Sequence, residues 1–203
     1  MTKIVLASSN QHKLTEIQAI LSDFDFDLVT MADAGYGDDD IVEDGDTFEA
    51  NSLIKARAVY ERLGIASLAD DSGLEVDFLG GAPGVYSARY AGEPKSDANN
   101  NAKLLAALEG VDDALRTAQF VTVLTLIFEN GDILVARGDV KGIIGYVPCG
   151  SNGFGYDPLF IVPELGKSFA QLDAIEKNTL SHRANALKVL KAMIGTYYEN
   201  TRR

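Results

Sequence analysis

Two adjacent carboxylates, Asp70 and Asp71, are the first residues that could perform chemistry. They follow the apolar run Ser67-Leu68-Ala69, which predicts a brief strand ending at them, and Glu43 adds a carboxylate upstream. Carboxylate oxygens bind Mg²⁺, and one such group can also activate water. Because consecutive strand residues point to opposite faces, we expect one aspartate to face the site and the other to support it. An ordinary acidic turn is the alternative for the pair alone.

Three separated basic positions could contact phosphate. The segment Ser8-Ser9-Asn10-Gln11-His12-Lys13 lies where a strand meets a helix, whose free N–H groups and dipole favour an anion. Lys55 follows Asn51 by four residues on one helix face. The third group surrounds the start of the last helix and consists of Lys177, His182 and Arg183. The structural alternatives are a helix cap, a surface lysine and a capping histidine, respectively.

A glycine-flanked loop, Phe154-Gly155-Tyr156-Asp157, combines aromatic rings with a carboxylate. Aromatic rings stack on nucleobases and a carboxylate accepts hydrogen bonds from base N–H groups, although a tight turn with a core aromatic is the alternative. Cations, carboxylates for Mg²⁺ and this loop are together the parts that a nucleoside triphosphate site requires. The chain lacks the G-x-x-x-x-G-K-[ST] pattern, which disfavours a P-loop ATPase or a kinase.

The composition excludes several classes of protein. With 18 Lys and Arg against 30 Asp and Glu, the formal net charge of the 203 residues is -12. Such a charge repels duplex phosphate and anionic lipid, so we expect neither a nucleic acid nor a membrane partner. The single cysteine, Cys149, can form neither an internal disulfide nor a Cys-rich zinc site. Because the apolar start Ile4–Ala7 is also too short for a signal peptide, we expect a cytoplasmic protein.

The strands and helices predicted from the sequence must position these residues. Together they indicate a mixed α/β fold, with residues 1–203 forming one domain of two lobes around a cleft. The Asn130-Gly131 pair predicts a hairpin turn, while Thr47 and Gly64 are the expected cap and end of one helix. Strands are predicted at 4–7, 25–30, 67–69, 120–128 and 133–135, and a short apolar run follows at 159–162. A helical pattern places Leu14, Ile17, Ile20 and Leu21 on one face, and further helices are predicted at 47–63, 97–109 and 179–195.

Taken in order along nearly the whole chain, these motifs resemble the inosine/xanthosine triphosphate pyrophosphatase family. Each motif alone is weak, whereas all six in sequence are specific. The resemblance is carried by Ser9-Asn10 with Lys13, Thr47-Phe48 with Asn51 and Lys55, Ala69–Leu74, Gly80–Tyr90, Gly153–Pro158, and Glu176-Lys177-Asn178 with Ser181-His182-Arg183.

The resemblance implies an elongated mixed sheet with two lobes around a central nucleotide-binding cleft, and usually a homodimer. It also implies Mg²⁺-dependent hydrolysis of the non-standard purine nucleoside triphosphates ITP, dITP and XTP. Cleavage between the α and β phosphates would give a monophosphate and pyrophosphate, and so remove deaminated purines from the nucleotide pool.

Residue roles follow from the same resemblance. The segment Ser8 to Lys13 is expected to cradle the triphosphate with help from Lys55, and Glu43 and Asp71 to hold Mg²⁺. Asp71 is expected to be the proton acceptor, with Asp70 in support and Lys13 beside them. The remaining residues expected to touch substrate are Ser72, Phe154 stacking on the base, Gly155 and Tyr156 in its loop, and Asp157, Lys177, His182 and Arg183 at the base edge and sugar-phosphate.

The chain departs from the family at two motifs. Ala50-Asn51-Ser52 stands where many relatives have Glu-Asn-Ala, which shifts the acid to Glu49 and leaves it outside the expected site. Ser8-Ser9-Asn10 stands where relatives often have Thr-Gly-Asn, and the alcohol at position 8 is kept. Two other functions stay open: a pyrophosphatase of a neighbouring fold family that prefers modified pyrimidines, and a catalytically silent nucleotide-binding protein.

Overall fold

A computed structural model of the chain describes residues 2–8, 11–36 and 41–201. The expected substrate residues Ser9 and Asn10 lie outside these residues, and Gln11 and His12 are described only as the start of a helix. No helix within these ranges is both long enough and apolar enough to cross a lipid bilayer.

The described residues form seven strands and five α-helices. The strands are β1 (Thr2–Leu6), β2 (Phe26–Thr30), β3 (Ala66–Val76), β4 (Thr117–Ile127), β5 (Ile133–Ile144), β6 (Phe160–Val162) and β7 (Lys167–Ser168). The helices are α1 (Gln11–Ile20), α2 (Phe48–Leu63), α3 (Asp97–Ala107), α4 (Ala174–Leu180) and α5 (His182–Thr201). The helices α1 to α3 lie between the strands β1 to β4.

The strands form a mixed sheet with the order β2-β1-β3-β4-β5-β6-β7. β1 pairs in parallel with β2 and β3, whereas β6 pairs antiparallel with β5 and β7. This topology confirms the predicted α/β class and mixed sheet, and the turn at Asn130-Gly131 connects the adjacent strands β4 and β5 as predicted. The expected arrangement of two lobes around a cleft stays a prediction.

Helix α2 begins and ends where the sequence predicts. The Thr47 side chain accepts a hydrogen bond of 3.1 Å from the Ala50 N–H, which satisfies a free donor of the first turn. At the other end Gly64 has φ 65°, a left-handed conformation that favours glycine, and its N–H donates to the Tyr60 carbonyl. These two caps set the register of the helix that carries Asn51 and Lys55.

Two predicted boundaries are wrong. β3 does not end at Asp70 but continues to Val76, beyond its pairing with β1 at residues 66–68, because its other neighbour β4 overrides the local turn preference of Asp-Asp-Ser-Gly. The C-terminal helix predicted at 179–195 is two helices, α4 and α5, separated by Ser181 in an extended conformation. Burial of the apolar face of α5 is as predicted, and its fully buried residues include Leu187, Leu190 and Ile194.

The chain divides into two compact units. Unit 1 comprises Met1–Asp71, Thr122–Gly138 and Arg183–Arg203, and unit 2 comprises Ser72–Val121 and Asp139–His182. In unit 1 the sheet has an apolar cluster on each face. Ile4 of β1 packs in the cluster with residues of α1 and α5, whereas its neighbour Val5 packs in the other with residues of α2. In unit 2 one cluster joins α3 to residues of β4 and β6.

Arg116 is the largest polar side chain buried in unit 2, with 2% of its surface exposed. Its guanidinium donates hydrogen bonds of 2.7, 2.8 and 2.9 Å to the carbonyls of Ile144, Leu108 and Gly145. Its charge also lies 4.2 Å from the centroid of the Tyr146 ring. The side chain therefore ties the end of α3 to the end of β5.

Replacing Arg116 with Met is expected to lower the free energy of unfolding by about 3 kcal/mol, because three buried carbonyls lose their donor. Urea unfolding followed by circular dichroism measures the change. Arg137→Met is the matched control, since Arg137 makes an ion pair with Glu49 in which both side chains are more than 40% exposed. Its loss should cost less than about 1 kcal/mol. Equal effects of the two substitutions would contradict the assignment.

Candidate active site

The buried carboxylate of Asp70 is the centre of an ion-pair group in unit 1, formed with Lys13, Glu16 and Arg183. Lys13 Nζ of α1 bonds to Asp70 Oδ1, and Arg183 Nε of α5 lies 2.7 Å from Asp70 Oδ2. The Arg183 guanidinium also bonds to Glu16 Oε2. Since the side chains of Asp70 and Arg183 are at most 1% exposed, this pair joins β3 to α5 within the interior of the unit.

The electrostatics of this group keep Asp70 ionised. Burial alone would raise the pKa of Asp70, but the charges of Arg183 and Lys13 outweigh it and hold the pKa well below its usual range. Burial lowers the pKa of Lys13; Asp70 opposes this, while the positive charges of Arg183 and Lys55 lower it further. The three cations are thus close enough for Arg183 and Lys55 to affect the pKa of Lys13.

A second ion-pair group, Glu43, Lys55 and Asp71, surrounds the next residue of β3. Lys55 Nζ of α2 lies 2.6 Å from Asp71 Oδ1 and 2.7 Å from Glu43 Oε2. Burial would lower the pKa of Lys55, but the two carboxylates outweigh it and raise the pKa. The residues Lys55, Glu43 and Asp71, widely separated in the sequence, are therefore brought together as predicted.

The two neighbouring aspartates have pKa values shifted in opposite directions. Burial raises the pKa of Asp71, and the nearby charge of Glu43 adds to this against the opposing effect of Lys55. Burial would also raise the pKa of Glu43, but the charge of Lys55 outweighs this effect and the pKa is lowered. Opposite shifts in adjacent carboxylates separate a proton acceptor from a permanently charged support. Asp71, whose side chain is 12% exposed, has the character of the acceptor, and Asp70 at 0% that of the support.

The alternation of β3 produces this division. Ala66 and Leu68 belong to the cluster with residues of α1 and α5, whereas Ala69 belongs to the cluster with residues of α2. Asp70 continues the first set and meets Lys13 and Arg183, while Asp71 continues the second and meets Lys55. The expectation that the pair points to opposite faces is confirmed.

Asn51, which the sequence analysis did not place in the site, positions the segment that carries Glu43. Its buried Oδ1 accepts a hydrogen bond of 2.9 Å from the Gly45 N–H. A side chain at position 45 would collide with this oxygen, so the close approach requires glycine there. The signal in the sequence was the spacing of four residues between Asn51 and Lys55, which places both on the face of α2 next to this segment.

Glu43 and Asp71 fit a magnesium ion by their donor chemistry. Two carboxylates that already share one cation, the Lys55 ammonium, offer hard oxygen ligands at one place. Across the described ranges no three His, Cys, Asp or Glu residues converge into a metal site. Mg²⁺ is commonly held by one or two carboxylates, with waters and substrate phosphates completing the shell, so a pair is sufficient.

The loop from Phe154 to Asp157 forms a separate polar group in unit 2 with Lys177. Asp157 Oδ2 accepts 2.9 Å from the Phe154 N–H and 2.7 Å from Lys177 Nζ. Lys177 Nζ also lies 5.0 Å from the centroid of the Phe154 ring. Because Asp157 is only 2% exposed, its carboxylate holds the loop together, and its expected contact with a base edge stays a prediction.

Tyr156 and His182, two other expected substrate residues, contact residues in the interior of unit 2. The Tyr156 hydroxyl donates 2.8 Å to the Ser87 carbonyl, and burial raises its pKa, so this residue belongs to the core of the unit. The His182 ring stacks on Phe120 with centroids 4.8 Å apart. Ser8 and Ser72 lie after β1 and inside β3, respectively, and their expected substrate contacts stay predictions.

Four residues outside the predicted site hold site residues or the backbone near them. Glu16 pairs with Arg183, and its signal was its position three residues after Lys13 on the same face of α1. Asn51 holds the Glu43 segment. Asp97 and Asn101 of α3 hold Gly155, and nothing in their local sequence distinguishes them from other polar helix residues.

Asp70→Asn is expected to lower the free energy of unfolding at pH 7 by about 3–5 kcal/mol, because Lys13 and Arg183 lose the carboxylate they share. The folded pKa of Asp70 lies below the unfolded value of about 3.9. Its stabilisation is therefore complete above that pH and is lost as the pH falls through the folded pKa. The difference from the unmodified protein should hold from about pH 5 to 8 and shrink below about pH 4.

Urea unfolding at a series of pH values measures this effect. Asp139→Asn is the matched control, because Asp139 is an exposed aspartate of β5. It should leave both the stability at pH 7 and its pH dependence close to those of the unmodified chain. A difference between Asp70→Asn and the unmodified protein that persists unchanged to about pH 2 would contradict the low pKa.

Comparisons of the sequence and of the structure with known proteins identify the same family. A model of the Ham1 family matches residues 4–193. A dITP/XTP pyrophosphatase of Clostridium perfringens is 48% identical over 197 residues, covering 94% of this chain and 96% of the relative. A dITP/XTP pyrophosphatase of Vibrio vulnificus is 50% identical over 196 residues, covering 96% and 97%. The structure of a HAM1 protein from Coxiella burnetii superposes with a TM-score of 0.88 at 43% identity, covering 97% of this chain and all of the other.

Proposed function

Because this chain belongs to the Ham1 family, we propose that it hydrolyses non-standard purine nucleoside triphosphates, ITP, dITP and XTP, to the monophosphate and pyrophosphate with Mg²⁺ as cofactor. The general class follows from the relatives: the chain is a nucleoside triphosphate pyrophosphatase. The single observation that supports a catalytic role is the pair Asp70 and Asp71, adjacent in β3 with pKa values shifted in opposite directions.

The cations of unit 1 supply the phosphate-binding part of this proposal. Lys13, Lys55 and Arg183 carry positive charge beside β3, and each is at most 15% exposed in its side chain. Carboxylates already pair with these cations, so a triphosphate would compete with them for Lys13 and Lys55, to which the resemblance assigns this role. Arg183 donates to both Asp70 and Glu16, so in this proposal it supports the site through Asp70.

Asp71 is the residue proposed to accept a proton from the attacking water. Its raised pKa makes it a stronger base than an ordinary carboxylate. Glu43 and Asp71 are proposed to hold Mg²⁺, which when bound neutralises phosphate charge and lowers the pKa of water. Lys55, which now bridges these two carboxylates, is then free to turn its ammonium towards phosphate.

The Phe154 loop is proposed to bind the base. The ring supplies a stacking face, and Lys177 places an ammonium near it that can donate to a 6-oxo group. Adenine carries an amine at that position, so its entry would leave the donor unpaired, at a cost of about 1–3 kcal/mol. Guanine shares the 6-oxo edge and must be rejected through its 2-amino group.

We also propose that the enzyme is a homodimer and that it is located in the cytoplasm. A homodimer is supported by the family resemblance, and light scattering during size-exclusion chromatography tests it. A cytoplasmic location is supported by the composition, in particular by a single cysteine in 203 residues.

Asp71→Asn is expected to lower kcat for ITP by at least about 10³-fold, because the proton acceptor and a metal ligand are lost together. Nucleotide binding should remain, since Lys13 and the Phe154 loop are unchanged. The fold should also remain at pH 7, because Lys55 keeps Glu43 as a partner. Steady-state kinetics, titration with a non-hydrolysable ITP analogue and thermal unfolding measure the three effects.

Asp139→Asn serves again as the exposed control and should leave kcat unchanged. Turnover by Asp71→Asn close to that of the unmodified enzyme would remove Asp71 from the catalytic role. Loss of folding by Asp71→Asn, but not by the control, would show that Asp71 is structural.

Substrate choice is tested by pyrophosphate release from ITP, XTP, GTP, ATP and dTTP, each with Mg²⁺ and with EDTA. We expect Mg²⁺-dependent release from ITP and XTP that exceeds release from GTP and ATP by at least about tenfold. Release of orthophosphate would contradict cleavage between the α and β phosphates. Preference for dTTP would favour the pyrimidine alternative, and absence of all release would favour the nucleotide-binding protein.

A further inference from the structure

Side chains of helix α3 form hydrogen bonds with both the N–H and the carbonyl of Gly155. Its N–H donates 2.7 Å to Asp97 Oδ2, and its carbonyl accepts 2.9 Å from Asn101 Nδ2. Asp97 and Asn101 are four residues apart and therefore share a face of the helix. Because Gly155 directly follows Phe154, this clamp of Asp97 and Asn101 holds the backbone beside the proposed stacking ring.

The other side of Phe154 is held by its own loop. The Phe154 N–H donates to Asp157, and a Cβ at Gly153 would collide with the same carboxylate. Gly155 has φ 60°, a left-handed conformation that favours glycine, so the chain turns directly after Phe154. The backbone on both flanks of the ring is thus placed by hydrogen bonds from side chains.

Phe154 and α3 both line a cavity of unit 2. This cavity of about 520 Å³ is lined by Phe154, Gly155, Asn101, Ala102 and Leu105, among others. Asn101 Oδ1 is buried without a hydrogen-bond partner, so the side chain is anchored only through its Nδ2. The clamp therefore holds the backbone of Phe154 and Gly155 at the edge of this cavity.

We propose that Asp97 and Asn101 are positioning residues that hold Phe154 in place for the purine base, an inference that rests on the proposed function. Neither residue touches the reacting phosphates in this proposal. They preorganise the loop, so that binding of the base does not have to order it. Their loss weakens binding of the base in the ground state and the transition state alike, which raises KM and leaves kcat unchanged.

The first test compares Asn101→Ala and Asp97→Ala with the unmodified enzyme. We expect KM for ITP to rise about tenfold in each, with kcat within about twofold. The inhibition constant of inorganic tripolyphosphate, which has no base, should not change. Asn99→Ala is the matched control, because Asn99 is an exposed asparagine of the same helix. Asn101→Asp keeps the side-chain volume but removes the donor, and it replaces Asn101→Ala if that variant fails to fold.

A second test asks whether the clamp acts through Phe154. In a Phe154→Ala background, Asn101→Ala should raise KM no further, because the ring that it positions is absent. Additive effects, an unchanged KM in the single variants, or an equal weakening of tripolyphosphate inhibition would each overturn the inference while leaving the proposed function intact. Absence of ITP hydrolysis by the unmodified enzyme would overturn the proposed function and, with it, this inference.

Discussion

A buried carboxylate paired with two cations is the constraint on which unit 1 depends. Asp70 lies in a central strand with its side chain excluded from water, and such a charge is stable only when it is paired and hydrogen-bonded. Lys13 and Arg183 satisfy it from α1 and α5, so one interaction sets the position of two helices against β3. The helix α5 itself begins at His182, which places Arg183 in its first turn.

The adjacent residue uses the opposite face of the same strand for a different purpose. Asp71 is paired with Lys55 but shares that lysine with Glu43, and burial keeps its pKa raised. A carboxylate in this state is only partly compensated, and so can respond to a metal ion, a phosphate or a proton. The fully paired Asp70 cannot respond in this way. Strand alternation thus places a fixed charge and a responsive charge next to each other.

In unit 2, hydrogen bonds between side chains and the backbone position an aromatic ring. There the group to be placed is an apolar ring, Phe154, which lines a cavity. The structure holds the backbone on each side of the ring, through Asp157 at its own N–H and through the clamp of Asp97 and Asn101 at Gly155. A ring placed through its backbone keeps its face available to a ligand, whereas a ring placed by packing would lose it.

The sequence by itself determined the α/β class, the caps of α2 and the apolar face of α5, because these depend on local periodicity and on residues such as Thr47 and Gly64. It also indicated the carboxylates and cations of the site through their types and their order. Only the tertiary structure decided that Asp70 and Asp71 lie inside β3, since pairing with β4 outweighs the local turn preference. It alone showed the clamp at Gly155, because hydrogen bonds between residues more than fifty positions apart leave no local pattern.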